Sequence, residues 1–150
     1  MICESEPFEV NYTKISTLAE ISRVKLYDYL SYLDDAKLIW LVDMQCNGLA
    51  KMAKPAKIYM NNTNLMYVYK NPKIGNVRET FFVNQIIPKH KIQIHHKGDF
   101  IMDNQYIFEI GGKSKDFTQI KDLPNSFIIS DQARTDHIRK IPLWLFGFLY

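Results

Sequence analysis

Four polar residues in the second half of the chain are spaced for hydrolytic chemistry: Glu79, Asp99, Glu109 and Lys113. Metal-dependent cleavage of a phosphodiester needs carboxylates that converge on a divalent cation such as Mg²⁺, and a further positive group near the attacking water. Asp99 and Glu109 are the candidate metal ligands, and Glu79 and Lys113 would complete the catalytic set. One turn decides whether the two central acids meet. A three-residue loop of Asp103, Asn104 and Gln105 sets Asp99 opposite Glu109 on one face. A two-residue Asp103-Asn104 turn pairs Asp99 with Phe108 and sends Glu109 to the other face. The residues alone leave both turns open. A purely structural role competes with both, in which Asp99 ends a strand and Glu109 pairs with a lysine.

Other polar groups carry weaker signals. Gly111-Gly112-Lys113 is too short for a Gly-x-x-x-x-Gly-Lys-Ser/Thr phosphate loop, and no such loop occurs, so ATP hydrolysis is not expected of this chain. His90, His95 and His96 cluster, but neighbours on a strand point to opposite faces, which makes His95 and His96 a poor joint metal site. Arg78 and Lys97 read as surface charges or as partners for the acids.

The elements that must position the acids follow from pattern. A helix is expected from about Asn76 to Ile87, ended by Pro88. Two strands, Ile92 to Met102 and Tyr106 to Ile110, flank the Asp103-Asn104 turn. Phe117 to Leu123 reads as a helix and Phe127-Ile128-Ile129 as a strand. The apolar end, Ile141 to Tyr150, requires burial, most simply as a core strand. Ahead of these, residues 1–48 read as helix–turn–helix–strand. Ile15, Leu18 and Ala19 share one helix face. Ser22 caps a second helix striped by Leu26, Leu30 and Leu33, and Leu38 to Val42 is a β-prone run. Gly48 to Lys57 reads as a loop or wing tip, Lys57 to Met60 as a short strand, and Asn61 to Asn64 as a turn or a cap. This order predicts an α+β or α/β protein, with a winged-helix-like segment, 1–48, followed by a small α/β domain, 49–150.

A winged helix raises DNA binding, with Ser22, Arg23 and Lys25 near the leading end of the second helix. Charge opposes it. Residues 1–48 hold 4 basic and 8 acidic side chains, a net of −4, which leaves 15 basic and 8 acidic in 49–150, a net of +7. Neutralising phosphate supplies most nonspecific affinity, so a polyanion should prefer the second segment.

Composition bounds the rest. With 47% hydrophobic and 23% charged residues, the 150-residue chain has the balance of a globular protein. No apolar run approaches the roughly 20 residues of a membrane helix, and Met1 to Glu6 lacks a secretory pattern. Cys3 and Cys46 form no Cys-x-x-Cys and read as free thiols of a reducing, cytoplasmic compartment.

Several stretches together resemble the C-terminal region of a bacterial and archaeal family of AAA-type P-loop ATPases. They are Ile21 to Ile39, Lys57 to Leu65, Gly75 to Gln85, Gly98-Asp99-Phe100, Phe108 to Lys113, and Ile141 to Tyr150. The resemblance implies a winged helix followed by a domain of unknown function similar to the PD-(D/E)XK, or restriction-endonuclease-like, fold. It implies that Tyr150 is a natural C-terminus, and that a P-loop ATPase core precedes Met1 and is the partner. Glu79 then matches the fold's first-helix acid, Asp99 the acid of its central hairpin, and Glu109 the acid of its Glu-x-Lys step. There the pattern departs. Gly111 stands where the lysine belongs, and Lys113 lies two residues on, a displacement of roughly 6.5 Å along a strand. The expectation is therefore a catalytically inactive regulatory or interaction module, with nucleic-acid contact through the basic half. The alternatives are a Mg²⁺-dependent DNA nuclease using Glu79, Asp99, Glu109 and Lys113, and a winged-helix DNA-binding protein.

Overall fold

The computed structural model describes residues 11–45, 56–69, 71–132 and 137–149. Most of the expected Gly48 to Lys57 loop or wing tip, both cysteines and Tyr150 fall outside this set. Helix α1, Tyr12–Leu18, is capped by the Asn11 side chain, which accepts from the Lys14 N–H. Helix α2, Arg23–Asp35, is capped by Ser22, whose hydroxyl accepts from the Lys25 N–H. Each helix stops at a left-handed residue, Glu20 (φ 53°) and Lys37 (φ 55°). There the following N–H groups fold back onto the last turn, Ile21 to the Ser16 carbonyl and Leu38 to the Leu33 carbonyl.

The buried face of α1 differs from the expected one. Tyr12 and Ser16 point inward, whereas Leu18 is 59% exposed. Tyr12 stacks on Tyr27 of α2 with ring centroids 4.9 Å apart, and this aromatic contact sets the face. On α2 the leucine stripe is as expected. Leu26 and Leu30 are buried with Ile39 and Ile58, and Leu33 packs against them.

Strand β1, Ile39–Val42, pairs antiparallel with β2, Lys57–Met60, so this hairpin spans the sequence boundary at residue 48. Helix α3, Thr63–Tyr69, follows, with Asn62 Oδ1 accepting from the Asn64 N–H. Helix α4, Ile74–Ile86, begins slightly earlier than the pattern indicated.

The second sheet runs β3-β4-β5-β6-β7, comprising Ile92–Ile94, Phe100–Met102, Tyr106–Gly111, Ser126–Ser130 and Lys140–Pro142. The first three strands are antiparallel, and β5-β6 and β6-β7 are parallel. The chain from Ile92 to Met102 is thus a hairpin rather than one strand. His95 makes the bend, its Nδ1 accepting from the N–H groups of Lys97 and Gly98. Gly98 is required there, because a Cβ would lie 2.9 Å from Ile107 Cγ2 and 3.1 Å from the Phe108 carbonyl.

Residues Phe117 to Leu123 form successive turns rather than a helix, with Ile120 fully buried beneath them. Phe117 and Leu123 pack on that Ile120 cluster, and hydrophobic burial takes precedence over helical hydrogen bonding. The chain end is also not a strand. After β7 it winds into a 3-10 helix, Leu143–Phe148, that buries Phe146 and exposes Trp144, Leu145, Phe148 and Leu149.

Helix α4 packs on the sheet through an aromatic core. Phe82, fully buried, lies 5.6, 5.1 and 4.9 Å from the rings of Phe100, Phe108 and Phe146. Beyond β1, Met44 bridges to Ile94, and main-chain hydrogen bonds join Gln45 and Asp43 to Ile94. The helical segment is thereby fixed to the β3 edge. No helix among the described residues is long and apolar enough to cross a membrane.

Candidate functional site: a carboxylate cluster held by two lysines

Helix α4 presents Glu79 one turn before Phe82, so the core contact that anchors α4 also seats the carboxylate. The β4-β5 register decides where the other two acids go. Met102 faces Tyr106 and Phe100 faces Phe108, where the ladder ends; the Asp99 N–H also bonds the Phe108 carbonyl, and the Asp99 carboxylate reaches the Ile110 N–H. This is the register of the three-residue loop. Asp103 and Asn104 both adopt positive φ (51° and 56°), the Gln105 N–H closes the turn on the Met102 carbonyl, and Gln105 is the additional residue. Asp103 is further held by His90 Nδ1 at 2.8 Å and by the Lys91 N–H at 3.0 Å.

Each acid has a defined partner. The Tyr59 hydroxyl donates to Glu79 Oε2 at 2.8 Å, and Lys57 Nζ donates to the same oxygen at 3.3 Å. Asp99 Oδ2 accepts from the Ile110 N–H at 2.7 Å, where the two strands part. Glu109, only 3% exposed, pairs with Lys115 Nζ.

Burial pushes all three carboxyl groups above their ordinary range. For Glu79 the adjacent Lys57 ammonium offsets part of this and the charge of Asp99 adds to it. For Asp99 the Ile110 N–H, Lys57 and Lys115 pull downward against burial. For Glu109 burial and then Asp99 push up, and Lys115 pulls down. The three acids therefore sense one another and form one electrostatic unit. Burial and the neighbouring Glu79 charge hold the Tyr59 hydroxyl well above its usual range, so it stays a donor.

Of the residues singled out from sequence, Glu79, Asp99 and Glu109 come together. Lys113 does not join them. Its side chain is exposed, and its carbonyl accepts from Gln132 and Lys140. Lys115 stands beside Glu109 instead, and Lys57 beside Glu79. Lys113 is the first lysine after the glycine pair, whereas the lysine that reaches the acids, Lys115, lies two residues further on. Lys57 and Tyr59 alternate along β2, which turns both toward Glu79 of α4; that alternation is the signal in the sequence that points to them.

Arg78 is a partner for an acid, donating through Nε to Asp131 Oδ2 at 2.7 Å. The rings of His95 and His96 lie 4.6 Å apart rather than on opposite faces, because the bend replaces the expected strand. Burial, with His96 and Lys97 nearby, lowers the pKa of His95. On α2, Ser22 is engaged as a cap. Arg23 Nη2 donates to Thr13 Oγ1 at 2.8 Å, and Lys25 is exposed.

Carboxylates are the donors that Mg²⁺ takes. Among the described residues, however, no three His, Cys, Asp or Glu side chains are grouped to hold a metal ion. Ammonium groups already stand at Glu79 and Glu109. As arranged, these residues do not fit a divalent cation. No protein-family model, curated protein or solved structure matches the chain.

Proposed function

We propose that this chain is a catalytically silent regulatory or interaction module belonging to a P-loop ATPase. It would comprise a winged-helix-like segment and a restriction-endonuclease-like domain. The observation that carries the silent reading is the internal charge compensation of the acid cluster: Lys57 is bound to Glu79 and Lys115 to Glu109, two of the three carboxylates a reaction would need. The order α1-α2-β1-β2 supports the winged-helix-like part. A helix ahead of an antiparallel hairpin, continued by parallel strands, supports the nuclease-like part. The assignment to an ATPase rests on the sequence resemblance. The exposed Trp144, Leu145, Phe148 and Leu149 supply apolar surface for contact with such a core.

A second reading, a Mg²⁺-dependent DNA nuclease, is favoured by one feature, the convergence of Glu79 and Glu109 on Asp99, whose charge both of them feel. Incubation of plasmid and single-stranded DNA with Mg²⁺ or Mn²⁺ separates the two. The silent module leaves both substrates intact. Cleavage by the chain that disappears in Asp99→Ala and Glu109→Ala would overturn it in favour of the nuclease. The salt slope of DNA binding tests nucleic-acid contact. A steep fall with salt marks phosphate tracking by the basic half, and charge reversal at Lys25 should leave that slope unchanged.

A further inference from the structure

A glutamate as buried as Glu109 needs its charge offset within the fold, since removing either member of a buried pair leaves the other uncompensated. Lys115 provides the offset by an unusual route. Its stem crosses directly over Gly111: a Cβ at residue 111 would stand 2.7, 2.7 and 2.8 Å from Lys115 Cβ, Cγ and Cδ. A side chain at 111 and the observed path of Lys115 exclude one another. The turn carrying Lys115 is itself clamped. Lys140 Nζ donates to the carbonyls of Lys113 and Lys115, both at 3.1 Å, and the Lys115 N–H closes on the Gly112 carbonyl at 3.0 Å. Lys115 Nζ also donates to Gln119 Oε1 at 2.9 Å, which fixes its head group.

We propose that the Lys115 ammonium is the resident counter-ion of the acid cluster, seated in place of a divalent metal, and that Gly111 is the gap that admits it. Gly111 and Lys115 are then two halves of one exchange. The missing side chain at 111 makes room for a cation supplied from 115, so the cluster is neutral enough to stay folded without metal. This deepens the silent-module reading, and its test does not depend on whether DNA is cleaved.

The test compares thermal unfolding and calorimetric Mn²⁺ binding for the full chain and its variants at neutral pH. The unaltered chain should show no heat of binding and an unchanged Tm. Lys115→Met keeps the stem but deletes the charge. It should unfold at a lower temperature and regain about 5 °C or more at saturating Mn²⁺, and adding Asp99→Asn should abolish that gain. Gly111→Ala should behave in the same way, because its methyl group displaces the Lys115 stem. It thus provides an independent route if Lys115→Met does not fold. Mn²⁺ stabilisation of the unaltered chain equal to that of Lys115→Met would overturn the proposal. So would failure of both variants to respond to the metal. DNA cleavage by the unaltered chain would overturn the silent reading separately.

Discussion

Replacing Lys57 by methionine isolates the other half of the cluster. Lys57 and Glu79 are 16% and 12% exposed at their side chains, so the pair is mostly but not wholly removed from water. Deleting one partner of a fully buried pair costs about 3–5 kcal/mol. Residual solvent access, and the hydrogen bond Glu79 keeps from Tyr59, reduce the expectation to about 2–3 kcal/mol at pH 7. For a chain of this size that corresponds to a fall in Tm of about 5–10 °C.

Adding Glu79→Gln removes the stranded charge, so the double variant should recover all but about 1 kcal/mol. The pH dependence has a definite sign. Lys57 is the foremost group pulling the raised Glu79 pKa down, so Lys57→Met raises it further. The folded variant then holds a proton that the unfolded chain releases. The stability deficit is absent below the unaltered chain's own raised Glu79 pKa, opens as pH rises through it, and levels off above the variant's still higher folded pKa. Urea unfolding of the four members of the cycle at pH 4 and pH 7 measures both effects. Equal deficits at the two pH values, or a double variant as unstable as the sum of the singles, would refute a charge-based role for Lys57.

Phe82→Ala empties the centre of the aromatic core and should cost about 3–5 kcal/mol by denaturant unfolding, enough to unfold a large share of molecules at 37 °C if the margin is small. Ser130 is fully buried, and among the described residues its hydroxyl has no hydrogen-bond partner. Ser130→Ala should therefore be neutral or stabilising by up to about 1 kcal/mol, and a loss of stability on denaturant unfolding would reveal a hidden partner. Gly98→Ala forces a methyl into Ile107 and the Phe108 carbonyl. It should cost about 1–3 kcal/mol, seen as a lowered Tm.

The acids were legible in sequence because carboxylates in an otherwise apolar strand pattern stand out, and Glu79, Asp99 and Glu109 do meet. The three-residue loop that sets the β4-β5 register was not legible. Asp103-Asn104 suits a tight turn on its own, and only the cross-strand pairing of Met102 with Tyr106 adds Gln105 to the loop. The bend at residues 95–99 was hidden for a related reason. Ile92 to Met102 looks like one run of strand residues, and what breaks it is a histidine ring accepting main-chain N–H groups, a contact with no spacing signature. Lys115 escaped because its reach depends on an absence, the missing side chain of Gly111. The tail misled in the opposite direction. Its apolar composition indicated burial, yet a 3-10 helix can bury little more than one side of so short a segment, so Phe146 goes in while Trp144 and Phe148 stay out.

The main-chain bridge from Asp43 and Gln45 to Ile94 also bears on behaviour at high concentration. A five-stranded sheet has two borders at which a stranger's strand could add on. Here one border, β3, is already occupied by the chain's own Met44 region. The other, β7, is three residues long and ends at Pro142, which has no N–H to offer. Among the described residues both borders of this sheet are thus short and partly blocked as templates for growth. Self-association, if it is seen, should therefore run through the side chains of the 3-10 helix and disappear when they are made polar, without any gain in β-structure.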